Sequence, residues 1–93
     1  MNEHEKIWRI IDDILWNDWD PIGINDVAPR DEYRSYVPAI QKLVSEKRNS
    51  ETIAQELDRI ASKTIGVGSN LSRSRAVAKK IIECVENATQ HNS

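Results

Sequence analysis

Four stretches of this chain repeat their apolar residues three and four positions apart, the spacing that gathers them on one side of a helix advancing about 100° per residue. The cleanest stripe is Ile53, Ala54, Leu57, Ile60, Ala61 and Ile65, set against Glu51, Gln55, Asp58, Arg59, Ser62 and Lys63 on the far arc. Near the start, Ile7, Ile10, Ile11, Ile14 and Leu15, with Trp8 beside them, oppose Glu5, Arg9, Asp12 and Asp13. Tyr33, Tyr36, Val37, Ile40, Leu43 and Val44 form a third stripe, and Val77, Ala78, Ile81, Ile82, Cys84 and Val85 a fourth. The pattern predicts an all-α fold: one domain over residues 1–93, with about four helices around a single core.

Capping chemistry sets the expected boundaries. The first helix runs from about Glu3 to Asn17, because Asn2 and Glu5 have capping-box spacing. Carried further, it would bring Asp18 to the middle of the apolar stripe, where an unpaired carboxylate is costly. Trp16 then projects away from the stripe and Trp19 lies beyond the helix end. Either both fold under the loop that follows, or Trp16 stands out as an anchor for a partner; the first is favoured, because tryptophan beside a proline-rich loop commonly packs on it.

That loop, DPIGINDVAP, has Asp20 and Pro21 to stop the first helix, and Ile22, Ile24 and Val27 to plug it onto the bundle. The second helix is expected to start with Asp31 as cap and Glu32 in its first turn. Pro38 points outward near Arg34 and Gln41, so the helix continues with a kink; the alternative is a single turn at 32–36 and a fresh helix from Pro38. Lys47, Arg48 and Asn49 close it, Ser50 caps the third helix and Gly66 stops that one. The connection GVGSNLS lacks the Gly-Lys-Ser/Thr ending of a phosphate-binding loop. The fourth helix spans about Arg73 to Ala88, and the polar tail TQHNS frays.

Charge excludes some functions and suggests others. The net charge of −2 is divided unevenly: residues 1–36 hold nine acids and four bases, residues 37–93 six acids and nine bases. A chain binding nucleic acid through its general field is more often basic overall. The bases Arg73, Arg75, Lys79 and Lys80 are the one nucleic-acid signal, yet they split to both edges of the fourth apolar face instead of forming a basic stripe. No apolar run approaches the roughly 18 residues of a membrane span. The opening MNEHEK lacks the order of a secretory signal, so the expected compartment is the cytosol. The lone Cys84 falls on a core face and reads as a small apolar residue rather than a nucleophile.

No constellation for catalysis appears. His4 and His91 lie near opposite ends of the chain without a serine or carboxylate partner at helical spacing, and no nucleophile elbow or dinucleotide turn is present. Asp18, Asp20, Asp26, Asp31 and Glu32 match no metal loop, and capping, turns and pairing with Arg30 and Arg34 account for them. The expectation is a non-enzymatic chain without metal or cofactor. Its acidic half is suited to a basic protein surface, with Trp16, Asp18, Asp26, Asp31, Glu32 and Tyr33 as the candidate partner-binding residues.

The segment WDPIGINDVAPRDEYRSYVPAI, and within it Trp19, Asp20, Pro21, Ile22, Gly23, Pro29, Asp31, Glu32 and Tyr33, resembles the signature of a small bacterial helical family catalogued as a domain of unknown function. The resemblance extends more weakly to Gly66 and implies no catalytic residues. In general type the chain also resembles immunity proteins that neutralise bacterial toxins, including those of contact-dependent inhibition. That likeness implies a toxin, such as a nuclease, as the basic partner.

Overall fold

The computed structural model describes residues 2–19, 33–66 and 68–89. Within them every regular element is helical: α1 is Glu3–Ile14, α2 Val37–Ser45, α3 Ser50–Arg59 and α4 Leu71–Thr89. π-helical segments extend α1 over Leu15–Trp19 and α3 over Ile60–Ile65, and a 3₁₀ turn, Arg34–Tyr36, leads into α2. The expected all-α bundle with four main helices is what forms. The loop expected over 20–30, with Asp26, and the residues Asp31 and Glu32 lie outside the described residues, as does the tail from Gln90.

All four stripes turn inward. Ile11, Ile14 and Leu15 from the first, Val37 and Ile40 from the second, Ile53, Ala54, Leu57, Ile60 and Ala61 from the third, and Val77, Ala78, Ile81 and Val85 from the fourth make the buried core. Cys84 is half-buried at its edge. α3 packs most extensively on α4, and α1 rests against both α4 and α2.

The first helix departs from expectation at its end. It does not stop at Asn17 but widens into a π segment, in which each residue turns by roughly 80° instead of 100°. Over five residues the lag adds up to about a quarter turn. Asp18 thereby leaves the middle of the stripe and reaches the edge facing α4, where Lys80 Nζ meets its carboxylate at 2.8 Å. Trp19 takes the vacated central place and is 1% exposed. It stands edge-on to Tyr33 (centroids 5.6 Å apart) and to Tyr36 (6.2 Å), and Trp16 packs on Tyr33 at 5.9 Å.

Pro38 decides the second helix. Without an N–H it cannot bond the Arg34 carbonyl, which instead accepts from Val37 in a 3₁₀ turn. Proline therefore sits in the first turn of a fresh helix. The kinked continuous helix gives way to the turn-and-restart alternative. At the other end Lys47 adopts the left-handed φ of 61°, with Arg48 N donating to Leu43 O and Lys47 N to Val44 O, a Schellman closure. The cap of α3 falls one residue earlier than expected: Asn49, not Ser50, accepts from the Thr52 amide at 2.9 Å. Gly66 does end the third helix, at φ 83°, its amide donating to Ala61 O.

Candidate functional site

α1 presents two different edges because its buried arc covers only part of the helix. Asn2 fixes its start, its side chain accepting from the Glu5 amide at 2.7 Å. On the edge toward α2, an open cleft of about 540 Å³ is lined by His4, Glu5, Trp8, Arg9, Asp12, Asp13 and Arg34. Asp12, placed by its spacing on the polar arc, is 5% exposed, because the 3₁₀ turn brings Arg34 over it. Arg34 Nε lies 3.4 Å from Oδ2, and its guanidinium stacks 5.8 Å from the centre of the Trp8 ring. A carboxylate this buried persists only when paired, and the cation across the cleft serves that need.

Gln41, expected to face outward, is also buried on this side. Its Nε2 donates to His4 O at 2.9 Å and lies 3.3 Å from His4 Nδ1. That clamp ties the first turn of α1 to α2. Asp12 and Gln41 were hidden from sequence reasoning because both lie on polar arcs of their own helices. What buries them is the neighbouring element.

On the edge toward α4, Ile10, Ile14, Cys84 and Ala88 floor a shallow groove of about 470 Å³ with Asp13 and Asn87 at its rim. Ile10, Cys84 and Ala88 are only half-buried, so apolar surface stays open. Glu83 is exposed one turn before Asn87 on α4. Lys6 Nζ donates to Ala88 O at 3.3 Å near one end of the groove, and the Asp18–Lys80 pair marks the other. The hydrogen bond that Lys80 donates to Asp18 raises the affinity of the lysine for its proton, and the carboxylate's charge adds to it.

Of the candidate partner-binding residues, Trp16, Asp18 and Tyr33 are among the described residues, and these three do not share one surface. Trp16 is 9% exposed and Tyr33 2%, both in the core, so neither ring is presented to a partner; burial corrects that expectation for these two. Asp18 is at the surface but engaged by Lys80, while Asp26, Asp31 and Glu32 lie outside the described residues. The basic cluster is likewise committed. Arg75 makes two bonds to the Glu51 carboxylate (3.0 and 3.1 Å), which hold the Glu51 carboxyl below its ordinary range, and Lys80 holds Asp18. Only Lys79 and Arg73 keep their charges unpaired by a carboxylate among the described residues, too few for a phosphate-tracking face.

Among the described residues no three His, Cys, Asp or Glu side chains gather to hold a metal ion, and no helix is long and apolar enough to cross a membrane. No family model, curated protein or solved structure matches this chain.

Proposed function

We propose that this chain is a non-enzymatic protein-binding module of the cytosol, engaging a basic partner across the α1–α4 groove. The observation that carries the reading is the composition of that groove: an apolar floor of Ile10, Ile14, Cys84 and Ala88 with the acid Asp13 at its rim. α1 and its π extension hold five acids against two bases. Such a field steers a cationic surface, and the apolar floor gives its side chains a place to dock. In its specific form the module is an immunity protein that neutralises a cognate bacterial toxin. The support for that form is the acidic, small, all-helical character of the chain.

The test is capture from the native cell at moderate salt, comparing the wild-type chain with Ile10→Lys and following the reactivity of Cys84 toward a thiol reagent. A stoichiometric basic protein, lost with Ile10→Lys and shielding Cys84 when bound, supports the groove. Toxicity of that protein when expressed alone, relieved by co-expression of this chain, supports the immunity form. A partner that binds the Ile10→Lys chain equally well refutes the groove as the docking surface.

A further inference from the structure

The groove between α1 and α4 has the form of a seat for one more helix. Its two walls run antiparallel: Lys6 in the first turn of α1 bonds Ala88 O in the last turn of α4, while Asp18, beyond the end of α1, meets Lys80. Each wall carries a pair of residues four apart, Ile10 and Ile14 on α1, Cys84 and Ala88 on α4. Side chains at that spacing lie one above the other, so the furrow between the two ridges follows the helix axes. On α4 the ridge is made of small residues, which lets an incoming helix axis come close.

Backbone chemistry decides against a strand as the occupant. An extended segment gains its main-chain bonds from open N–H and C=O groups at a sheet edge. Both walls here are helices, whose amides and carbonyls bond within the helix itself, and Ala88 O, near the end of α4, is taken by Lys6 Nζ. An occupant must therefore bring its backbone bonds already made, as a helix does. The Lys6–Ala88 and Asp18–Lys80 contacts bound a stretch of about 12–18 Å at 1.5 Å per residue, two to three helical turns. Charge argues against a second copy of this chain, because a twofold pairing through this face would bring the same Asp13-bearing rim from both copies together.

Resting on the reading of this groove as the partner surface, we infer that the partner docks there with a single amphipathic α-helix. Its apolar residues recur three and four positions apart and enter the furrow between the ridges, and a lysine or arginine beside them faces Asp13.

The probe is a helical peptide of about 18 residues, made of alanine, lysine and leucine with leucine recurring every three and four positions. Its comparator has the same composition with leucine and lysine alternating. Each is titrated into the isotope-labelled full chain at low salt and followed by amide nitrogen–proton correlation spectra. The helical peptide should give saturable shifts centred on Ile10, Ile14, Cys84 and Ala88, with a Kd at or below about 1 mM, and the alternating peptide should bind at least about ten-fold more weakly. Ile10→Lys should abolish saturation. Asn87 is exposed at the rim, so its variants leave the core untouched. Asn87→Lys should weaken the complex and Asn87→Glu tighten it, each by about two- to five-fold. Equal binding of the two peptides, shifts that map outside the groove, or the absence of saturation overturns the helix inference. The groove itself is judged separately: a captured partner that is lost with Ile10→Lys keeps the groove when the peptide fails, whereas a partner that survives Ile10→Lys removes both.

Discussion

Replacing Trp19 by alanine tests whether the π segment sets the phase of α1. Trp19 is 1% exposed and touches two tyrosine rings, so its truncation removes one of the largest fully buried side chains of the domain. Losses of this kind cost about 3–5 kcal/mol, a large share of the roughly 5–15 kcal/mol that holds a domain folded. With an unfolding entropy of about 2.1 cal/mol/K per residue, a 93-residue chain loses about 5 °C of Tm per kcal/mol, so a fall of about 15 °C or more is expected. Urea denaturation followed by far-ultraviolet circular dichroism measures it without relying on the indole signal.

Deletion of Asn17 supplies the contrast. Asn17 is exposed, and its side chain bonds only the Asp13 carbonyl among the described residues. Removing it cancels the extra residue of the wide turn, so an ordinary α-helix then carries Trp19 to nearly the same inward position. The deletion should cost clearly less than Trp19→Ala. A Trp19→Ala loss under about 1 kcal/mol, or a deletion as damaging as the truncation, would refute the phase argument.

Other consequences are more local. Lys47→Gly should raise stability by about 0.5–1 kcal/mol in a urea melt, because the left-handed φ of 61° is strained for any residue with a Cβ. Asn49→Ala should lower it by about 1 kcal/mol, since Asn49 Oδ1 accepts from both the amide and the hydroxyl of Thr52 at the start of α3. The Glu51–Arg75 link should weaken in acid. The Arg75 hydrogen bond holds the Glu51 carboxyl below its ordinary 4.5, so its contribution is complete above 4.5 and disappears as pH falls through the lowered value. The difference in urea midpoint between wild type and Glu51→Gln should therefore shrink between neutral pH and about pH 3, and an undiminished difference would contradict the assignment.

The two edges of α1 suggest a division of labour between holding the fold and meeting a partner. Toward α2, the polar side chains are bound to one another: Arg34 covers Asp12, and Gln41 clamps His4. Toward α4, half-buried apolar atoms remain uncovered beside the exposed Asp13. Surfaces of the second kind are where binding contributes most, because docking removes apolar area from water while the charges speed the encounter.

The amino-acid sequence by itself determined the helical class, the four stripes and several helix ends, because apolar periodicity and the caps act within a few residues of one another. Asn2 and Gly66 do at the helix ends what their local chemistry requires. Tertiary structure decided whatever depended on a second element. A stripe read at 100° per residue has no place for Asp18, and only the meeting with Lys80 on α4 and the tyrosines before α2 makes the wide turn at 15–19 the better solution. The same holds for Asp12, Gln41 and Ser74, polar residues whose burial is imposed by neighbours distant in sequence. The candidate site was legible only as an acidic half of the chain. Its groove arises from the packing of α4 against α1 and its π extension, a relation between helices that no local spacing encodes.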